Sequence, residues 1–295
     1  MMVSLRYAYP PMTAQRIKKS VIAGSWYPGD PRTLQEEIER FFSRVPERDI
    51  GGAIVGIVAP HAGYDYSGQV AAHAYRRLRR NSFDAVIVIG PSHQRFFRGV
   101  SVYPAGGYET PLGVVPVDET LAGDIIESGP VVSAIPEAHT QEHSVEIQLP
   151  FLQAALGGFK FVPLIMGDQN RDTCEELAGA IVRAAGTRKV LIVGSSDLSH
   201  YHTYEKAVVM DRRALGHLVR MDASGLLEDL EAGFSEACGG GPAAVTVMAA
   251  RKLGADRAEL LKYANSGDVT GDRSSVVGYA SVAFFGAGLK NYLDK

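Results

Sequence analysis

The 295-residue sequence has little of several features that define common protein classes. It holds two cysteines, too few for a disulfide framework. The formal charge is −3 and no long basic run occurs, which argues against nucleic acid or an anionic membrane as a partner. No apolar stretch approaches the roughly 20 residues that span a bilayer. The N-terminus lacks the continuous apolar core of a signal peptide, so we expect a soluble cytoplasmic protein.

Several site motifs are also missing from the sequence. There is no G-x-x-x-x-G-K-[ST] loop, no G-x-S-x-G elbow, no G-x-G-x-x-G after a strand and no C-x-x-C pair. These absences argue against a P-loop nucleotide site, an α/β-hydrolase nucleophile, a Rossmann dinucleotide site and a C-x-x-C zinc or iron–sulfur site.

The sequence does contain three apolar runs that lead directly into polar side chains. They are Ile54–Pro60 before His61, Ala85–Gly90 before His93, and Lys189–Gly194 before Asp197 and His200. Each run is typical of a strand that is buried on both faces. In open α/β sheets, ligands bind beyond the carboxyl ends of such strands. We therefore expect imidazole and carboxylate groups to meet at one edge of one sheet.

Alternating strand and helix patterns predict a single α/β domain over residues 1–295, with a mostly parallel or mixed central sheet flanked by helices. Further strands are predicted at Phe159–Met166, Val190–Val193 and Val276–Phe285. Helices are predicted at Pro31–Val45, Gly68–Arg80, Asp118–Glu127, Ser144–Leu156, Asp172–Ala185, Tyr204–Arg220 and Pro242–Lys252. Pro150 predicts a kink or a late start in the fourth of these helices.

The helix at Gly68–Arg80 would connect the strands that end at His61 and His93. This arrangement predicts a βαβ unit with the two histidines on neighbouring parallel strands. A shared site is favoured for the pair, because neutral imidazole is the commonest protein metal ligand. The alternative is two hydrogen-bonded histidines at strand ends.

His200 follows Asp197 by three residues, and two interpretations of this block are open. In one, Ser195, Ser196 or Asp197 caps a helix and His200 lies on its first turn. In the other, Asp197 orients a neighbouring imidazole and His200 acts as a general base or a ligand. The two interpretations are compatible.

A second histidine-rich stretch contains His139, His143 and Glu146. His143 and Glu146 are three residues apart, so they share a face if a helix begins near them. The alternative is a solvated helix start. The remaining histidines have no such polar neighbours in sequence, and we interpret them as structural or surface residues: His73, His202 and His217.

Aromatic residues lie close to the first of these histidines. Trp26, the only tryptophan, lies in a loop rich in glycine and proline, and Tyr64 and Tyr66 follow His61. Aromatic side chains usually pack in cores. Tyr66 is nevertheless well placed to line the rim of a pocket.

The two cysteines lie in different contexts. Cys174 shares a helical face with Leu177 and Ile181, which predicts an inert core residue. Cys238 precedes three glycines, a context that packing explains poorly. We expect Cys238 to be accessible and, when metal-free, to have a lowered pKa because imidazoles surround it.

Six ordered blocks of the sequence resemble the Memo family, whose prokaryotic members are called AmmeMemoRadiSam system protein B. The blocks are A-G-S-W-Y-P at Ala23–Pro28, A-P-H-A-G-Y-D-Y-S-G at Ala59–Gly68, G-P-S-H at Gly90–His93, E-H-S-V-E-I-Q-L-P at Glu142–Pro150, S-S-D-L-S-H-Y at Ser195–Tyr201, and C-G at Cys238–Gly239. The resemblance covers nearly the whole chain. It implies a fold similar to the class III extradiol, non-haem iron dioxygenases.

The resemblance also implies the roles of particular residues. His61, His93 and Cys238 would be the metal ligands, with the cysteine in place of the dioxygenase glutamate. His200 and Asp197 would form the remaining polar pair. The same cleft would contain Trp26, Tyr64, Tyr66, His143 and Glu146, and in eukaryotic members it is associated with phosphotyrosine-peptide binding.

Three functions are consistent with this ligand set. The first is a metal-dependent redox protein with Fe(II) or copper, since thiolate favours copper(I) or zinc without excluding iron. The second is a non-catalytic module that binds a peptide or a protein in the same cleft. The third is a zinc hydrolase with His200 as general base. The family's prokaryotic name further implies AMMECR-type and radical SAM proteins as partners.

Overall fold

Strands and helices alternate along the computed structural model, which describes residues 17–47, 51–79 and 81–286. The strands are β1 Ile17–Lys18, β2 Ala53–Ala59, β3 Ala85–Pro91, β4 Val100–Val102, β5 Gly107–Thr110, β6 Gly113–Pro116, β7 Val132–Ala134, β8 Phe161–Met166, β9 Val190–Ser195, β10 His200–His202, β11 Ala255–Asn265 and β12 Val276–Gly286. The helices are α1 Pro31–Ser43, α2 Tyr64–Tyr75, α3 Glu119–Ser128, α4 Leu149–Leu156, α5 Arg171–Ala185, α6 Tyr204–Val219, α7 Ala223–Glu231, α8 Gly240–Lys252 and α9 Ser266–Thr270. Short 3₁₀ turns lie at Arg76–Leu78, Pro136–Ala138 and Glu146–Gln148.

Within the described residues, a nine-stranded mixed sheet forms the centre of the molecule. Its order is β10-β12-β2-β9-β3-β8-β4-β7, and β11 also pairs with β12. Strands β2, β9, β3 and β8 are parallel, whereas β12 and β4 run antiparallel to their neighbours β2 and β8. β3, β8 and β9 are buried along their whole length, as expected for strands covered on both faces. The predicted α/β class with a mixed sheet is confirmed.

The strand order corrects the predicted βαβ unit. β2 and β3 are not neighbours, because β9 lies between them and pairs with both; Ile192 is opposite Gly56 on one side and Ile87 on the other. A crossover helix fixes the hand of a parallel connection but not whether the connection skips a strand. The carboxyl ends of β2, β9 and β3 are consequently adjacent in that order, with the Asp197 block in the middle.

Most predicted helices are observed within a few residues of their expected bounds. Pro150 occupies the first turn of α4, so the late start is confirmed and a 3₁₀ turn precedes the helix. α2 begins at Tyr64, four residues before the predicted Gly68, and ends at Tyr75. The predicted helix end at Arg80 and the outer limits of the predicted domain, 1–295, lie outside the described residues. The sequence patterns did not predict the short strands β1, β4 to β7 and β10, the long strand β11, or the helices α7 and α9.

Two close backbone approaches bring loops onto the carboxyl edge of the sheet. A Cβ at Gly239 would lie 2.1 Å from the Ser195 carbonyl oxygen, so only glycine allows the residue after Cys238 to rest on the end of β9. A Cβ at Gly90 would lie 2.3 Å from Ser144 Oγ. Among the described residues, no helix is both long and apolar enough to cross a bilayer.

Candidate metal centre and cleft

A cleft of about 930 Å³ opens at the carboxyl ends of β2, β9 and β3. Eight of the ten residues predicted from the sequence line it: Trp26, His61, Tyr66, His93, His143, Asp197, His200 and Cys238. They come from segments that are distant in sequence; His61, His93 and Asp197 meet because the parallel strands before them place their carboxyl ends at the same edge. The predicted meeting of imidazole and carboxylate groups is thus observed.

Hydrogen bonds fix the tautomer of His61, which is 2% exposed. The Ser195 hydroxyl lies 3.0 Å from His61 Nδ1 and donates its only proton to the Ser144 carbonyl oxygen, at 2.6 Å. Ser195 Oγ also accepts a hydrogen bond from Gln148 Nε2. Nδ1 of His61 must therefore carry the hydrogen, which leaves the lone pair on Nε2. Burial holds the pKa of His61 well below its usual value, so the ring is a neutral donor.

Glu142 gives His93 the same tautomer. Its carboxylate accepts from His93 Nδ1 at 3.0 Å and from the His93 backbone N–H. It also accepts from the backbone N–H groups of His143 and Ser144. Burial raises the pKa of Glu142, but these hydrogen bonds outweigh burial and lower it to about 2. An ionised carboxylate on Nδ1 leaves Nε2 of His93 with its lone pair, an arrangement common among metal-ligating histidines.

Cys238 lies against these two imidazoles. Its Sγ is 2.9 Å from His61 Nε2, and the side chain is partly exposed whereas Cys174 is fully buried. Burial and the Asp197 carboxylate raise the pKa of the Cys238 thiol. The expectation of a lowered pKa is therefore wrong for the metal-free site, because burial disfavours the thiolate and the adjacent His61 ring is itself held neutral by burial. Burial also raises the pKa of Cys174, to about 12, in line with the predicted inert core residue.

The donor atoms of His61, His93 and Cys238 all lie within 4.8 Å of one another. Two neutral imidazole nitrogens and one thiol suit copper(I), zinc or iron, so the residues present fit a transition metal. A second group, formed by His93, Glu142 and His143, meets the same distance limit. Glu142 is a poorer ligand, because its oxygens already accept from one imidazole and three backbone N–H groups. We therefore assign Glu142 the role of orienting the His93 ring.

Asp197 and His200 both line the cleft. Asp197 is 4% exposed and accepts from the backbone N–H groups of His61 and Ala62, at 2.7 and 3.3 Å. Burial raises the pKa of Asp197 to about 7. Asp197 therefore positions the His61 backbone, which agrees with its predicted orienting role.

His200 begins the short strand β10 and does not lie on the first turn of a helix; α6 starts only at Tyr204. Its backbone N–H donates to Glu236 at 3.3 Å, and its ring lines the cleft. Burial lowers the pKa of His200, which favours the neutral, proton-accepting ring. The next residue, Tyr201, has a φ of 61°, a left-handed conformation at the irregular β10–β12 pairing.

Aromatic side chains form the mouth of the cleft. Trp26 contacts the His143 ring at 4.4 Å between centroids, and His143 stacks on His93 at 4.6 Å. Trp26 is 38% exposed, and Tyr66 and Tyr201 are 47% and 77% exposed. Burial lowers the pKa of His143 to about 4.

Tyr64 and Glu146, both predicted in the cleft, lie elsewhere. Tyr64 is 3% exposed, packs on Phe151 and donates to the Ile147 carbonyl oxygen. Glu146 is fully buried and forms an ion pair with Lys18 at 2.6 Å. The prediction failed for Glu146 because the helix of this region starts only after it, so Glu146 and His143 do not share a helical face.

Three of the other histidines have hydrogen-bond partners, and the fourth, His73, is half-buried. His139 is buried between Ser101 and Tyr108. His202 binds Glu236, His217 binds Asp222 and Asp229, and burial lowers the pKa of His73 to about 4. These contacts agree with the structural interpretation of His73, His202 and His217.

Sequence reasoning missed the residues that support the ligand rings, which are Glu142, Gln148 and Ser195, and it missed Glu236, which accepts from the His200 backbone N–H. Glu142 and Gln148 lie inside one block of the family resemblance, and Ser195 begins another, so membership in those blocks was the available signal. Glu236 stands two residues before Cys238 and carries no pattern that could single it out.

Comparison with known proteins identifies the family. The family model described as Memo-like protein matches residues 18–283. A MEMO1 family protein of Methanopyrus kandleri is 38% identical over 278 residues, which cover 90% of this chain and 98% of that protein. A MEMO1 family protein of Methanosarcina acetivorans is 41% identical over 272 residues, which cover 90% of this chain and 98% of that protein.

The fold is also found in a solved structure. An uncharacterized protein from Escherichia coli K12 aligns with a TM-score of 0.50 and 14% identity, over 78% of this chain and 99% of that one. At this identity the likeness shows the fold alone, and it is consistent with the predicted extradiol dioxygenase-like architecture. The family model and the curated relatives together show that the chain belongs to the Memo family.

Proposed function

We propose that this protein is a metal-dependent redox protein, with Fe(II) or copper held by His61, His93 and Cys238 and with His200 as the proton-transferring residue. The observation that carries the proposal is the convergence of three donor atoms within 4.8 Å. Both imidazoles expose Nε2 because Ser195 and Glu142 engage their Nδ1 atoms. When bound, the metal supplies electron-transfer chemistry, and zinc, which does not change oxidation state, is the alternative occupant.

The protein side chains would divide the remaining tasks. Glu142 and Ser195 hold the ligand rings in one orientation, and Asp197 holds the His61 backbone. His200 lines the cleft with a neutral ring, which accepts a proton from a substrate bound beside it. The Trp26 side chain covers His143 at the mouth and limits the access of water.

A binding experiment tests the ligand set. We expect His61→Ala and Cys238→Ala to lose affinity for Fe(II) and copper(I), measured anaerobically by competition with a chromophoric chelator. Cys174→Ala is the matched control, since its sulfur lies in the core at 0% exposure. Retention of wild-type affinity by folded Cys238→Ala would refute the ligand set.

A second measurement separates a redox enzyme from a binding module. Oxygen uptake or dye reduction by the metal-loaded protein should fall by about 10²–10⁴-fold in His200→Ala while metal affinity persists. The exposed aromatic rim favours the binding module as the second candidate. Absence of turnover in wild type, with equal partner binding by metal-free and loaded protein, would support that module.

The AMMECR-type and radical SAM partners remain part of the proposal. The support for these partners is the family resemblance of the sequence. Co-purification of tagged protein with such partners, compared with a Trp26→Ala variant, tests whether they engage the cleft.

A further inference from the structure

The charged side chains that line the cleft are acidic. They are Asp65 and Glu236, whereas the buried Asp197 is engaged by the backbone N–H groups of His61 and Ala62; none of the lining residues that the structure describes is lysine or arginine. The whole chain has 30 basic and 33 acidic residues, so this distribution is local and does not reflect composition. The metal-free cleft therefore presents negative potential to a ligand.

The mouth of the cleft adds aromatic faces to these carboxylates. Tyr66 lies beside Asp65 on the first turn of α2, and both residues are exposed. Tyr201 is 77% exposed on β10, and the neighbouring His202 ring and His200 backbone N–H both hydrogen-bond to Glu236. Aromatic faces attract ammonium and guanidinium groups, and carboxylates reinforce that preference.

One polar atom in the cleft wall is also without a partner. Ser235 is 0% exposed and lines the cleft, and its hydroxyl has no hydrogen-bond partner among the described residues. Buried hydroxyl groups are normally hydrogen-bonded, so a bound molecule with a polar group is the natural partner for this one. Ser235 adjoins Glu236 in sequence, which places this hydroxyl next to the acidic wall.

We propose that the cleft selects small organic cations with an aromatic or apolar body, and disfavours ligands that carry phosphate or carboxylate groups. This proposal rests on the proposed function, because it takes the cleft as the substrate site. It adds the chemical class of the substrate. The aromatic rim would contact the body of the ligand, and Asp65 and Glu236 would contact its ammonium group. A phosphorylated aromatic group would meet the carboxylates of Asp65 and Glu236 and no basic side chain from the described lining.

Trp26 provides a direct readout, because it is the only tryptophan of the chain and lies in the cleft lining. Metal-free protein is titrated with tyramine and with 3-(4-hydroxyphenyl)propionate, which share a phenol ring and a two-carbon chain but carry opposite charges. We expect tyramine to bind at least about tenfold more tightly, which corresponds to roughly one favourable charge interaction. Added salt should reduce the difference in affinity between tyramine and 3-(4-hydroxyphenyl)propionate.

Variants test whether residues of the cleft wall cause the preference for the cationic ligand. Asp65→Asn should reduce the preference for tyramine, and Tyr66→Leu should weaken tyramine binding. Asp256→Asn is the matched control, because Asp256 is exposed and far from the cleft. It lies near the start of β11, which pairs there with the Gly286 end of β12. The cleft is reached by the other end of β12, near Val277. Circular dichroism confirms that each variant is folded.

Three outcomes would overturn the inference: equal or tighter binding of the carboxylate, tighter binding of O-phosphotyrosine than of tyramine, or no saturable quenching of Trp26 by tyramine. Because the protein is metal-free, a failure of the metal-binding experiment leaves this test intact. Conversely, a reversed charge preference refutes the inference without affecting the ligand set.

Discussion

The segment from His139 to Gln148 carries two buried carboxylates, Glu142 and Glu146, that have different partners. Glu146 faces the core, where it accepts from Lys18, Ser20 and Tyr27. Glu142 is only four residues away but faces the cleft, where it accepts from the His93 ring and backbone. In a helix this spacing would place both on one face. The segment turns helical only from Glu146 onward, so the two side chains diverge.

Burial and full hydrogen bonding do not by themselves distinguish a structural carboxylate such as Glu146 from one that serves a site, such as Glu142. What distinguishes them is the partner. Glu146 joins the N-terminal strand β1 to the body of the protein through Lys18, whereas Glu142 orients a ring whose free nitrogen faces the other donors. Substitution of either carboxylate should therefore change a different measurable quantity.

The largest expected effect is on folding stability at the core side. Glu146→Ala leaves the Lys18 ammonium group buried without its partner, which should cost about 3–5 kcal/mol in free energy of unfolding. Urea denaturation measures this change. The adjacent pair of Lys19 and Glu109 is the control: its side chains are 76% and 38% exposed, so Glu109→Ala should cost less than about 1 kcal/mol.

Metal affinity of the folded fraction should remain unchanged in Glu146→Ala. A variant that unfolds under the assay conditions can be replaced by Tyr27→Phe, which removes one hydrogen bond to Glu146 and leaves the ion pair in place. A loss of metal affinity in stable Tyr27→Phe protein would contradict the division between the core and cleft sides.

The cleft side should show the opposite behaviour. Glu142→Gln places a neutral amide beside His93 Nδ1 and weakens the orientation of the ring, so metal affinity should fall by about 10–100-fold. Chelator competition measures it, with Glu137→Gln as the control, since Glu137 is an exposed carboxylate two residues before this segment. Unchanged affinity in folded Glu142→Gln protein would remove Glu142 from the site.

Much of this arrangement could be predicted from the sequence because its causes are local. Apolar runs identified β2, β3 and β9, and the carboxyl ends of parallel strands share one edge, so the meeting of His61, His93 and Asp197 followed from the strand assignments alone. The Cys238 ligand assignment needed the family resemblance. A cysteine beside glycines indicates a special backbone position but does not identify its partners.

The remaining features depend on contacts between distant segments. The insertion of β9 between β2 and β3 is decided by how the strands pack, which the helical crossover leaves open. The position of Glu146 depends on Lys18, which is 128 residues away in sequence. The raised pKa of Cys238 depends on burial that no local pattern encodes.

The smallest expected effect again concerns the core side, and it is a change in the free energy of unfolding with pH. His139 is fully buried, and burial lowers its pKa to about 3. An unfolded chain has a histidine pKa of about 6.5, so below that pH the unfolded state binds one proton more than the folded state. The contribution of neutral His139 to stability is therefore complete above pH 6.5 and declines as the pH falls toward 3.

Between pH 7 and pH 5.5, wild type should lose about 1 kcal/mol of unfolding free energy through His139 alone. His139→Gln removes the titrating group, so its loss over the same range should be smaller by that amount, although the variant is less stable at pH 7 because Ser101 and Tyr108 lose their partner. Urea denaturation of both proteins at the two pH values measures the difference. Equal losses in the two proteins would mean that His139 is accessible to protons in the folded state, and that the core side of this segment is less closed than its contacts with Ser101 and Tyr108 imply.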